Sequence, residues 1–249
     1  VGDIAGDVFG NGMLLSEHIK LIATFNHMHI FVDPDPDPST SFAERKRLFE
    51  LPRSSWSDYD PKILSKGAKI FDRNAKFLTL NKEIKELFHI KENTIIPDEF
   101  IKVILKSKID LFWNGGIGTF VKSSAETHAD VGDRNNDNIR INATEFRVKV
   151  VGEGGNLGLT QLARIEYALQ GGILNTDAID NSAGVNCSDT EVNIKILVDD
   201  IVRSGEMTSK QRNRLLVDMT TEVSEIVLDS NRRQNEAISM TVFRGAQDI

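Results

Sequence analysis

Residues 152–156 read Gly-Glu-Gly-Gly-Asn, and they close an apolar run from Arg147 to Val151. Glycine at the end of a buried strand lets backbone come close to a pyrophosphate and its sugars, and a following helix N-terminus supplies N–H donors to the anion. In that setting Gly154 makes room, while Glu153 and Asn156 are placed to orient a ligand. A second cluster, Asn114-Gly115-Gly116, ends the apolar run Ile109 to Trp113. A third, Val-Gly-Asp-Ile-Ala-Gly at residues 1–6, leads into a helical pattern from Gly6 to Ser16. There Gly2, Asp3 and Gly6 belong to a fingerprint of the G-x-G-x-x-G kind, a weak signal alone, since a tight strand-to-helix turn explains it equally well.

The acidic residue that holds a dinucleotide ribose lies about 20 residues beyond the last glycine. That position is Asn26, which can donate and accept but carries no charge to repel a 2′-phosphate. Asp33 is a second candidate at longer spacing. His27 and His29 share one face of a strand, but zinc sites need three or four ligands and no further partner is evident, so no metal is expected. Cys187 reads as a small buried thiol rather than a nucleophile, because no activating histidine is placed near it by sequence.

Strands that alternate with helices must position these clusters, the pattern of a doubly wound parallel α/β sheet covered on both faces. Ile19–Phe25 and His29–Val32 are of strand length. The Asp-Pro repeat from Asp33 to Pro38 predicts a stiff extended connector, with Ser41 capping a helix from Phe42 to Leu51. Residues 34–95 read as an irregular insertion, within which Asn81–Leu87 is helical. Pro97–Leu105 is a further helix, His128–Arg140 a polar loop, and Ile173 with Leu174 a last short strand. A helical segment follows over 189–249, with Thr208 and Gln211 spaced as a capping box and an apolar stripe of Leu215, Leu216, Met219, Val223, Ile226 and Val227. The domain expected ahead of it spans 1–188.

Composition excludes some classes. The chain has 249 residues, 40% hydrophobic and 27% charged, ordinary for a globular protein. Its net charge of −7 argues against nucleic acid as a partner, and no run reaches the ~18 apolar residues that cross a bilayer. A single cysteine predicts a reducing, cytoplasmic compartment. The first residues have neither an initiator Met nor a signal peptide, as expected of a piece of a longer chain.

The blocks VGDIAGDVFGNGMLLS, DPDPDPSTSFAERKRLFELPRSSW, LFWNGGIGTFVKSSAETHADVGDR, KVVGEGGNLGLTQLARIEYAL and NTDAIDNSAGVNCSDTEVNIK resemble the bacterial large-type NAD-specific glutamate dehydrogenases over nearly the whole chain. A fainter likeness to the ordinary hexameric glutamate dehydrogenases lies beneath. Their A-E-G-A-N is similar to residues 152–156, and their N-A-G-G-V-x-x-S is similar to residues 181–188. The resemblance implies a Rossmann-type coenzyme domain of an enzyme that interconverts L-glutamate and 2-oxoglutarate plus ammonia with NAD, a homo-oligomer at full length. It implies that Asn156 contacts the nicotinamide ribose, that Asn181 lines the nicotinamide side, and that Ser188 reaches the substrate carboxylate with Val185 packed beside it. The family tends to carry Asp where this chain has Asn26, so NAD preference is expected to be retained but shallow. The family's catalytic lysine and aspartate belong to a substrate domain N-terminal to this segment, so no catalytic residue is expected here. A dehydrogenase of another amino acid and a dinucleotide-sensing module without turnover are the competing readings.

Overall fold

Burial along Ile30-Phe31-Val32 shows how the first part of the chain is layered. Ile30 and Val32 join a hydrophobic cluster with Phe25, Phe100, Phe112, Val121 and Val151, whereas Phe31 joins Phe9, Met13, Leu48, Trp56 and Tyr59. Successive strand residues face opposite ways, so the strand lies between two apolar layers. The computed structural model describes residues 1–245. The chain divides into a unit Val1–Asp177 and a second unit from Ala178 onward.

In the first unit α1 (Asp7–Leu14) precedes β1 (Ala23–Phe25) and β2 (His29–Val32). These strands pair antiparallel, Phe25 opposite Ile30. Further along the chain, Lys69–Asp72 adds antiparallel to β2. A wholly parallel sheet is therefore not what forms. The connection between Phe25 and His29 is far shorter than the dozen or more residues a parallel crossover needs, so two apolar runs this close can only make a hairpin.

The helix α2 (Pro38–Glu50) starts earlier than Phe42. The Thr40 N–H donates to Asp37 Oδ1 at 2.8 Å, and Pro38 occupies the first turn, where its missing N–H costs nothing. Ser41 is not the cap; it lies inside the helix and accepts from Arg45 Nη1 at 2.6 Å. After it come β3 (Lys69–Asp72), β4 (Leu78–Thr79), α3 (Lys82–Phe88), β5 (Thr94–Ile95) and α4 (Pro97–Leu105). Residues 34–95 are built into the core: Leu48, Trp56 and Tyr59 fill one layer, and Leu78, Ile84 and Phe88 the other.

The remaining elements of this unit are β6 (Leu111–Asn114), β7 (Val121–Lys122), α5 (His128–Val131), β8 (Ile141–Asn142), β9 (Val150–Glu153), α6 (Gln161–Leu169) and β10 (Ile173–Leu174). β9 lies between β6 and β10, parallel to both, with Asn114 opposite Glu153. Arg140 ties down the polar stretch 128–140, donating through Nε to the Thr119 carbonyl at 2.8 Å and through Nη1 to Asp137 Oδ1 at 2.6 Å.

Val1 and Gly2 bridge the two main sheets. The Val1 nitrogen donates to the Trp113 carbonyl, and Gly115 N–H donates to the Val1 carbonyl at 2.8 Å. One residue bonded to two residues of its neighbour in this way is the pattern of a parallel ladder. On its other side Gly2 N–H donates to the Phe25 carbonyl at 3.1 Å. Backbone hydrogen bonds thus run in the order β3, β2, β1, Val1–Gly2, β6, β9, β10.

The short α7 (Asp177–Asp180) straddles the division between the units. The second unit continues with α8 (Ser182–Arg203), α9 (Ser209–Asp218) and α10 (Thr220–Arg244). The second unit begins at Ala178, and Ser182–Arg203 is one uninterrupted helix that runs through residue 188. The capping box forms as expected, Gln211 N–H donating to Thr208 Oγ1 at 3.2 Å. The apolar stripe is split between α9 and α10 at Met219. Val223 and Val227 are buried, while Ile226 is exposed. Among the described residues no helix is long and apolar enough to cross a membrane.

Candidate functional site

The glycine clusters meet at one edge of the sheet. Because β6 and β9 run parallel with Asn114 opposite Glu153, the loops that follow them leave side by side. A Cβ on Gly155 would lie 2.6 Å from the Gly116 carbonyl oxygen, and one on Gly116 would lie 3.5 Å from the Gly2 Cα. Side chains at Gly2 and Gly115 would strike Phe9 of α1 at 2.6 and 2.7 Å. Gly2 also has φ +149°, a conformation that L side chains rarely adopt. At Gly155 the two backbones are closer than a side chain allows. Gly6 sits just before α1, its N–H bonded to the Asp3 carbonyl at 2.9 Å. Three residues separate Gly2 from Gly6, one more than in the strict fingerprint.

Two polar groups at this edge are left over. Asn114 is fully buried, and both its amide oxygen and its amide nitrogen lack a protein partner; Asp3 Oδ1 is likewise buried without one. Buried polar atoms are normally satisfied, so these atoms call for a partner that the described protein groups do not supply.

Glu153 is engaged within the protein. Its carboxylate is wholly buried and accepts both prongs of Arg164 from α6, Nε at 2.7 Å and Nη2 at 2.9 Å, together with the Leu159 N–H at 2.9 Å. Arg164 Nη2 also lies 2.9 Å from Asp177 Oδ1, and Asp177 Oδ2 accepts the Leu157 N–H at 2.8 Å. Burial alone would lower the Arg164 pKa, but Glu153 and Asp177 outweigh it and hold the value above that of a free arginine. Between these anchors runs the loop Gly154–Gly158. Gly154 is buried, Asn156 is exposed, and Leu157 has φ 51°, a left-handed conformation that costs a non-glycine residue roughly 1–2 kcal/mol. Sequence reasoning missed Arg164 and Asp177. The available signal was an arginine next to Ala163 on the buried side of an amphipathic helix, where a cation needs a partner.

Asn26 closes the β1–β2 hairpin. Its Oδ1 accepts from the N–H groups of Met28 and His29 at 2.8 and 2.7 Å, and its buried Nδ2 has no protein partner. Arg73, just beyond β3, donates Nη1 to the Asn26 carbonyl at 2.8 Å, and burial lowers its pKa. An arginine thus stands beside Asn26, the position that the sequence spacing assigns to the ribose contact. Asp33 is buried and accepts from the Ser65 hydroxyl.

In the second unit Asn181 is buried immediately before α8. Val185 and Ser188 are exposed in the first turns of that helix, and Cys187 is half-buried. Among the described residues no group of three or more His, Cys, Asp or Glu is placed to hold a metal ion.

Parallel strand ends that converge on glycine backbone, with apolar layers on both faces, place the first unit in the α/β class. Comparison with known proteins narrows the class. Residues 1–241 match the family described as bacterial NAD-glutamate dehydrogenase, catalytic domain, and the chain belongs to that family. It is 57% identical to an NAD-specific glutamate dehydrogenase of Pseudomonas aeruginosa and 58% identical to one of Halomonas elongata, each over 249 residues, all of this chain. It is 52% identical to one of Mycobacterium tuberculosis over 242 residues, 95% of the chain. The chain spans 15% of the length of each of these relatives.

Proposed function

We propose that this chain is the coenzyme-binding portion, of Rossmann type, of an NAD-dependent glutamate dehydrogenase that oxidises L-glutamate to 2-oxoglutarate and ammonia. The observation that carries the reading is the convergence of Gly2, Gly115–Gly116 and Gly154–Gly155 on one sheet edge beside the unpartnered Asn114 amide. The sheet order supports it: Val1–Gly2 lies between β1 and β6, so the strand order reverses there as at a switch point.

The residues present fit NAD. Glycine at Gly2, Gly115 and Gly155 lets the strand ends pack against Phe9 and the Gly116 backbone, which brings main-chain N–H groups together at this edge as a pyrophosphate site requires. Asn114 offers a donor and an acceptor to a polar ligand group, and Asn26 with its free Nδ2 occupies the ribose end. When bound, NAD supplies the hydride-accepting nicotinamide. The chain's own part would be orientation: Asn156, exposed in the loop after β9, would contact the nicotinamide ribose as the family resemblance implies, and the unpartnered Asn114 amide would hold a polar group of the ligand. Asn181 lines the nicotinamide side, and Ser188 with Val185 contacts substrate, roles that rest on the family resemblance. Proton transfer to and from substrate needs a positioned acid or base, and the family resemblance puts the lysine and aspartate that would supply it in a substrate domain outside this segment.

The test is NADH binding to the full-length enzyme, followed by nicotinamide fluorescence. Asn114→Ala is expected to weaken binding at least fivefold, by loss of one or two hydrogen bonds of about 1 kcal/mol each. Unchanged affinity would remove the site from this edge.

A further inference from the structure

Arg164 holds together a group of buried charges that the coenzyme chemistry itself does not require. Glu153 on β9 and Asp177 after β10 are far apart in sequence, yet one guanidinium spans them at 2.7, 2.9 and 2.9 Å. Each carboxylate in turn takes a backbone N–H at one end of the same loop: Glu153 takes that of Leu159, and Asp177 takes that of Leu157. The loop between them carries Asn156 and places Gly155 against Gly116. Its left-handed residue is leucine, not glycine, so local preference does not hold the shape.

Resting on the coenzyme reading above, we propose that Arg164 is a positioning residue for the cofactor site, acting through Glu153 and Asp177 to fix the loop Gly154–Gly158 in its binding shape. The fork geometry is what the task needs. A planar guanidinium can meet two carboxylates in set directions, and a lysine ammonium of the same charge cannot. The arrangement also explains why a wholly buried glutamate ends β9: its charge is neutralised by Arg164 and is not offered to the ligand.

The consequence is specific. Without the fork the loop keeps its sequence, its glycines and Asn156, but samples other shapes, and binding must select the competent one. Affinity for NADH falls while the rate at saturation is retained. A loop that holds the competent shape about one tenth of the time raises the apparent dissociation constant about tenfold.

The experiment uses the full-length enzyme and compares Arg164→Lys, Asp177→Asn and Asn156→Ala by NADH fluorescence, steady-state kinetics and thermal melting. Arg164→Lys is expected to raise the NADH dissociation constant and the KM for NAD about tenfold, with kcat and the KM for glutamate within twofold of the parent. Asp177→Asn, which keeps an acceptor for Leu157 but loses the charge facing Arg164, is expected to do the same to a smaller degree. If Asn156→Ala weakens NADH binding and neither charge variant does, Arg164 is structural only and the inference is overturned. If Asn156→Ala itself leaves binding unchanged, the coenzyme reading of the loop fails instead. Should Arg164→Lys not fold, Asp177→Asn decides by the same criteria.

Discussion

Replacement of Asn26 by aspartate tests the ribose end of the site and the register of β1 together. In the structure Asn26 Oδ1 accepts two N–H groups, from Met28 and His29, at 2.8 and 2.7 Å. A carboxylate preserves both bonds with one oxygen, so the hairpin survives the change. Its second oxygen takes the place of Nδ2, which has no protein partner, and becomes a charged acceptor for ribose hydroxyls. A hydrogen bond to a charged group is worth about 1.5–3 kcal/mol, against about 0.5–1.5 for a neutral one. The gain of about 1–1.5 kcal/mol corresponds to roughly five- to tenfold in NAD affinity. For NADP the same charge repels the 2′-phosphate. Arg73 opposes this repulsion, because its guanidinium is already at the Asn26 backbone, 2.8 Å from the carbonyl. The parent enzyme is therefore expected to prefer NAD by a shallow margin. Asn26→Asp should raise the NAD-to-NADP ratio of kcat/KM about tenfold or more, and Arg73→Gln should raise it by depressing NADP use alone. The assay is initial-rate glutamate oxidation by the full-length enzyme with each cofactor. A ratio unmoved by Asn26→Asp would falsify the placement of the ribose beside Asn26.

Further outcomes follow from other parts of the structure. The segment 1–249 alone is expected to show no glutamate turnover; activity near that of the full-length enzyme would place the proton chemistry within it. Gly155→Ala forces a Cβ to within 2.6 Å of the Gly116 carbonyl, and overpacking of this kind costs about 1–3 kcal/mol; an unchanged melting temperature together with unchanged NADH affinity would contradict the tight junction. Phe100 is fully buried with its ring edge-on to Phe71 and Phe88 at 5.7 and 5.5 Å. Phe100→Ala is expected to destabilise by about 3–5 kcal/mol in urea unfolding, and a loss below 1 kcal/mol would show that the three rings do not share a core. Burial alone would raise the Glu145 pKa, but Lys106 at 2.5 Å and the Asn142 N–H outweigh it and hold it below the ordinary 4.5. A depressed carboxyl stabilises fully above its unfolded value and loses that contribution as pH falls through the folded one. The urea midpoint should thus fall below about pH 4.5, less steeply in Lys106→Met; identical pH profiles would exclude the pair.

Local chemistry in the sequence determined much of this protein. Apolar runs of strand length gave β6 and β9, proline placed the start of α4, and the Thr208–Gln211 spacing placed the start of α9. The glycine clusters marked the strand ends that meet at the site, because glycine is required wherever backbone passes too close for a Cβ. Hairpin against crossover was also decidable from the three residues between β1 and β2, since no parallel connection is that short. Other features depended on partners remote in the chain. Arg73 reaches Asn26 across 47 positions, and nothing local to either residue signals the other. Glu153 looked like a ligand contact because it stands among glycines, and only the approach of Arg164 and Asp177 turned it into a buried support. Charge and size are properties of a residue, but the partner that neutralises a buried charge is chosen by how sheets and helices pack. Tertiary structure alone therefore separated the buried side chains left without a protein partner, Asn114 above all, from those already spent on holding the loops in place.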